Sequence, residues 1–115
     1  MTTDPIFTDE FGDWFLSLDD KDTEAVSRVI DLLVVRGVSL GRPYSGTIKN
    51  SRHALRELVI QSQGDPIRVF YAFDPKRNAV LLLGGHKAGQ DRFYEESIPK
   101  AEKLFDEYLN DESND

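Results

Sequence analysis

Three residues near the centre of the 115-residue chain carry most of its capacity for chemistry on an anion. Arg68 lies within the run Ile67-Arg68-Val69-Phe70-Tyr71-Ala72-Phe73, and a guanidinium can clamp two phosphate oxygens at once. His86 and Lys87 follow the pair Gly84-Gly85. An imidazole with an unperturbed pKa of about 6.5 can carry a proton in either direction near neutral pH, and an ammonium beside it can neutralise a phosphate. Each residue also has a structural alternative. Arg68 can pair across a sheet with Glu57, His86 can be an ordinary histidine at a strand end, and Lys87 can be a plain exposed lysine. His53, the other histidine, reads as a surface residue in a loop with Ser51 and Arg52.

Other chemistries are excluded by what the chain lacks. There is no cysteine, hence no disulfide, thiolate zinc site, iron-sulfur cluster or cysteine nucleophile. The two histidines stand 33 positions apart, which makes a zinc site improbable. Gly84-Gly85-His86-Lys87-Ala88-Gly89 lacks the spacing of a nucleotide-phosphate loop. The acidic pairs Asp19-Asp20 and Glu95-Glu96 suit helix N-termini, where the dipole favours negative charge. The sequence therefore predicts no metal and no cofactor.

The elements that must position these residues follow from periodicity. Ile6-Phe7 reads as a very short strand. Phe11, Trp14, Phe15 and Leu18 then recur at helical spacing after a cap at Thr8 or Asp9, which makes Trp14 a core anchor. A second helix starts at Asp19 or Asp20, carries Val26, Val29, Ile30 and Leu33, and ends at Gly37. Leu40 to Gly46 reads as a loop. Three strands follow, Leu55 to Gln61, Ile67 to Phe73 and Ala79 to Leu83, joined by turns too short for anything but antiparallel pairing. In the second, Ile67, Val69, Tyr71 and Phe73 share one face while Arg68, Phe70 and Ala72 share the other. A last helix starts at Tyr94 or Pro99 and buries Ile98, Ala101, Leu104, Phe105, Tyr108 and Leu109. This order predicts a single α+β domain over residues 1–109 with an acidic flexible tail over 110–115. Its two-helix hairpin and C-terminal helix should pack on one face of a small antiparallel twisted sheet, leaving the other face free. No apolar run approaches the roughly 18 residues of a membrane helix and the N-terminus lacks signal-peptide features, so a cytoplasmic protein is expected.

Charge is unevenly spread. The net charge is −7, yet residues 42–92 carry nine basic and four acidic side chains. The segments on either side are strongly acidic. Such a pattern suits a positive site set into a negative body, or ends that salt-bridge to the middle.

The motifs Leu55-Arg56-Glu57-Leu58, Ile67 to Phe73, Leu81-Leu82-Leu83-Gly84-Gly85-His86-Lys87, and Tyr94 with Ile98-Pro99-Lys100-Ala101 together resemble the RelE/HigB-like toxins of type II toxin-antitoxin pairs, in their phage-derived Gp49-like branch. The similarity runs from about Ile6 to Leu109. It implies a RelE-like fold and a ribosome-associated endonuclease that cuts translated messenger RNA, held inactive by a cognate antitoxin, here expected to be a small helix-turn-helix protein. It also implies that the sheet's concave face and the segment after the last strand hold the catalytic groups. Arg68 aligns with a strand arginine of the family and Tyr94 with its tyrosine, which stacks on a base or moves a proton; Tyr94 can equally be the first apolar residue of its helix. The catalytic candidates are thus Arg68, His86, Lys87 and Tyr94. Arg56, Arg52 and Lys49 are candidates for RNA contact, with an exposed edge charge as the alternative for Arg56. Where many relatives continue Glu57-Leu58 with an arginine, this chain has Val59. Two other readings share the pattern: a ParE-like toxin that binds a topoisomerase without cutting RNA, and a degenerate interaction module. The antitoxin is expected at the basic middle segment or its adjoining sheet face.

Overall fold

The computed structural model describes residues 4–113. Its order is β1 (Pro5–Phe7), α1 (Asp9–Leu16), α2 (Asp20–Arg36), a single 3-10 turn (Gly37–Ser39), β2 (Ser45–Thr47), β3 (Arg56–Ser62), β4 (Asp65–Phe73), β5 (Ala79–His86) and α3 (Phe93–Ser113). The helices start where side chains can satisfy the first free N–H groups. Thr8 accepts from the Phe11 amide and Asp19 from the Asp22 amide, with acidic residues in both first turns.

The five strands lie in the order β1-β5-β4-β3-β2. The three long strands pair antiparallel as their short turns require, but β1 pairs parallel with β5, placing Pro5 beside Ala79. The sheet is therefore mixed, because α1 to β4 lie between its two parallel strands. A strand also forms inside the expected loop: Ser45 to Thr47 pairs with Leu58 to Arg56, and the buried Ser45 hydroxyl lies 2.6 Å from the Tyr71 hydroxyl.

The expectation that all helices share one face is overturned. Phe11, Val26, Ile30 and Leu33 of α1 and α2 pack with Leu58, Ile60, Ile67, Val69 and Tyr71. Ala101 and Phe105 of α3 pack on the opposite face with Phe70, Ala72, Val80 and Leu82. The reason is in β4, whose two faces are both apolar after Arg68, so water cannot be left on either. Each fully buried Leu, Ile or Phe contributes about 1.5–3 kcal/mol, and the second layer adds such residues on both sides of the sheet. Helix α3 continues to Ser113, so most of the segment read as a flexible tail is helical; residues 114–115 lie outside the described residues. Pro99 lies inside α3 rather than opening it.

One irregularity decides where the site residues point. Phe70 pairs with Leu83 but Tyr71 pairs with Leu81, so Leu82 is an extra residue in β5, a β-bulge. Strict alternation from Leu81 would place His86 on the α3 face beside Arg68. The bulge shifts the alternation by one residue, so Gly85 lies opposite Arg68 and His86 opposite Ile67.

Candidate functional site

On the α3 face, β3, β4, β5 and the first turn of α3 bring Glu57, Arg68, Lys87 and Tyr94 together. The Tyr94 hydroxyl donates to Glu57 Oε1 at 2.7 Å, and Arg68 Nε lies 3.4 Å from the same oxygen. Arg68 Nη1 donates to the Ile67 carbonyl at 3.0 Å, while its buried Nε makes no hydrogen bond of good geometry among the described residues. The Lys87 ammonium stands 5.0 Å from the centre of the Tyr94 ring. Both members of the Glu57–Arg68 pair are largely shielded, with 16% and 14% of their side chains exposed.

Local sequence explains the arrangement. Val59 pairs directly with Arg68 across the sheet, so its apolar side chain flanks the arginine stem. Gly85 opposes Arg68 on the other side, where a Cβ would come within 2.9 Å of the Phe93 ring; only glycine lets α3 lie this close to β5. Burial, then the hydrogen bond to Glu57, raises the Tyr94 pKa, so the phenol keeps its proton at neutral pH. A cleft of about 280 Å³ bounded by Gly85, His86, Phe93, Ser97 and Lys100 opens alongside.

The other expected residues are not brought to this cluster. His86 lies on the opposite face, with its Nε2 2.9 Å from Asp22 Oδ2 and its ring against Trp14. Asp22 also accepts from Ser62 and Gln63, and the Ser62 and His86 contacts hold its carboxyl below the usual range. Arg56 points to the α2 face, donates to the Val38 carbonyl and lies over Phe73. Arg52 grips Asp106 with two hydrogen bonds of 2.9 and 2.7 Å, and His53 bonds the same carboxylate. Lys49 is exposed in the turn before β3. Glu57 is the member that sequence reasoning considered only as a structural partner. Its spacing carried the signal, since Glu57 and Val59 alternate with the buried Leu58 and so share a face with Arg68. Among the described residues no group of three or more His, Asp or Glu side chains converges as a metal-binding set, and no helix is long and apolar enough to cross a membrane.

Helices covering both faces of a small mixed sheet, with α1 and α2 on one side and α3 on the other, make a RelE-like fold. The free state of an arginine-substituted E. coli toxin RelE superposes with a TM-score of 0.60, covering 86% of this chain and 97% of that one at 12% identity. Residues 13–106 match the family described as phage derived protein Gp49-like. Two relatives from Mycobacterium tuberculosis (strain ATCC 25618 / H37Rv) bear toxin names. HigB3 is 41% identical over 101 residues, covering 86% of this chain and 87% of its own length. HigB2 is 39% identical over 99 residues, covering 84% of this chain but 49% of its own length. The chain belongs to the Gp49-like family of RelE/HigB-like toxins.

Proposed function

We propose that the protein is the toxin of a type II toxin-antitoxin pair that cuts messenger RNA on the ribosome without a metal and is neutralised by a cognate helix-turn-helix antitoxin. The observation that carries this reading is the convergence of a carboxylate, a phenol, a guanidinium and an ammonium at Glu57, Tyr94, Arg68 and Lys87.

These groups suffice for a balanced transfer. Glu57 takes the proton of a ribose 2′-hydroxyl as its oxygen attacks the adjacent phosphorus. Arg68, with Lys87 beside it, offsets the charge that builds on the phosphorane oxygens. As the bond from phosphorus to the 5′-oxygen breaks, Tyr94 gives that oxygen its proton. The phenolate then recovers a proton from Glu57 along their 2.7 Å hydrogen bond. The products are a 2′,3′-cyclic phosphate and a free 5′-hydroxyl. His86 has no part in this sequence of steps, because it approaches Asp22 on the far face.

The test is expression without antitoxin, with message ends mapped by primer extension. Arg68→Ala, Glu57→Gln and Tyr94→Phe should each lower cleavage by about 10²-fold to 10³-fold. The ParE-like reading has one observation in its favour, the enclosure of Arg68 by its ion pair with Glu57, which is also how an architectural arginine is held. Intact messages in arrested cells would establish that reading and overturn the nuclease.

A further inference from the structure

The cleft of about 280 Å³ beside the Arg68 cluster has a build that phosphate chemistry alone leaves unexplained. β1 pairs with β5 only from Ala79 to Leu81, so the outer edge of Leu83 to His86 has no strand beside it among the described residues. Helix α3 forms the facing wall. Phe93, Glu96, Ser97 and Lys100 all line the cleft, at helical positions i, i+3, i+4 and i+7 that share one side of the helix. The strand side is bare peptide: a Cβ on Gly84 would strike the Trp14 ring and one on Gly85 the Phe93 ring. Gln90 donates to the His86 carbonyl at 3.0 Å and so holds the connecting loop beside the strand.

Two opposite charges line this slot, and neither is paired among the described residues. Glu96 and Lys100 stand about one helical turn apart, roughly 6 Å along α3, and form no ion pair with each other or with another described side chain. The neighbouring Glu95, by contrast, is held by Arg92. A carboxylate only accepts, through two oxygens, and an ammonium only donates. Side by side they present acceptor, acceptor and donor. Among the RNA bases only guanine carries the complement along its Watson–Crick edge, where the N2 amine and N1–H donate in parallel and O6 accepts beside them. Adenine, cytosine and uracil each present a single donor group to a carboxylate. A phosphate would be repelled by Glu96.

We propose that this cleft receives a guanine base of the RNA, with the two Glu96 oxygens accepting from N1–H and N2–H, Lys100 donating to O6, and the ring lying over the Gly84–Gly85 backbone. Gly85 lies directly across the sheet from Arg68, so a base seated there leaves its own phosphate within reach of Arg68 and Lys87. The proposal rests on the nuclease reading for its substrate and adds which base stands beside the cut.

The test has two arms. In the first, the isotopically labelled full chain is titrated with the four nucleoside 3′-monophosphates and followed by amide NMR. Guanosine 3′-monophosphate should shift the amides of Gly84, Gly85, Gln90, Ser97 and Lys100, and should bind about tenfold or more tighter than the other three. Glu96→Gln, at an exposed position of α3, should bring it down to their level, because an amide offers one accepting oxygen where the carboxylate has two. In the second arm, message ends mapped in cells without antitoxin should carry guanine at one fixed position beside the cut, and Glu96→Gln should flatten that bias. Selective guanosine binding with intact messages would overturn the nuclease and support the base site. Cut messages without a guanine bias would leave the nuclease standing and overturn the base site. Equal shifts from all four nucleotides, a preference for another base, shifts confined elsewhere, or an undiminished guanosine preference in Glu96→Gln would also overturn it.

Discussion

Two carboxylates divide the basic candidates between the faces of the sheet. Glu57 holds Arg68 and Tyr94 on the α3 side, and Asp22 holds His86 on the α2 side. Replacing the two bases should therefore have different consequences. Arg68→Ala should remove cleavage, while His86→Ala should leave cleavage within about threefold of the parent and instead loosen the tie between α2 and the end of β5. That tie is half-open to solvent, so its loss should cost about 1 kcal/mol or less. Denaturant unfolding beside primer extension separates the two effects, and a hundredfold loss of cleavage in His86→Ala would return the proton transfer to the histidine. Asp106 supports a pH experiment. Hydrogen bonds from Arg52, then His53, lower its pKa to about 2 in the folded chain. A depressed carboxylate pKa means stabilisation that is complete above the unfolded value of 3.8 and is lost as pH falls toward about 2. Asp106→Asn should accordingly melt below the parent at neutral pH, and the gap should close by about pH 2 as the parent's carboxyl protonates. A gap that persists at pH 2 would assign the difference to packing.

At the scale of elements, β4 and β5 account for both what was legible in the sequence and what was not. The alternation of β4 placed Arg68 with Phe70 and Ala72, and the structure has them on one face. The helical stripes likewise gave the buried residues of α2, namely Val26, Val29, Ile30 and Leu33. The bulge at Leu82 was not legible, because three consecutive leucines read the same in any register; both faces are apolar at that point. The side taken by α3 was missed for a related reason, since its apolar stripe fits either face and only the two-sided apolarity of β4 excludes a bare sheet. The strand β1 was legible at Ile6-Phe7, but its parallel pairing with β5 was not, because three residues carry no pairing signal. Trp14 was read as a core anchor and is one, though half-buried: its ring lies over Gly84, where a Cβ would come within 2.3 Å of it. Gly84→Ala should therefore destabilise by about 1–3 kcal/mol through overpacking. In a Trp14→Ala background the same change should cost markedly less, because the ring it strikes is gone. Additive losses in that double-mutant cycle would show that α1 does not press on β5 through this pair.

At the scale of the whole molecule, charge and shape constrain how RNA can be held. Both faces of the sheet are covered, so a substrate must enter at the margin where β5 meets the start of α3. That margin offers Arg68, Lys87 and Lys100 in a chain of net charge −7. Three cations elsewhere are committed to other tasks: Arg52 to Asp106, Arg28 to Glu24 and Arg92 to Glu95. On the proposed function, affinity for naked RNA should be weak and rest on few phosphates, with the ribosome presenting the message. Each neutralised phosphate on a single strand contributes a slope of about −0.7 to log K against log salt, so two or three contacts give about −1.4 to −2.1. Measuring the binding of a short unstructured RNA to the Glu57→Gln protein across a range of salt concentrations checks this, since that variant should bind without cutting. Lys87→Ala should make the slope shallower by about 0.7 and weaken binding to all sequences alike. A slope steeper than about −4 would require a basic footprint of six or more residues. It would place the RNA on a surface other than the Arg68 margin, whose three cations cannot produce it.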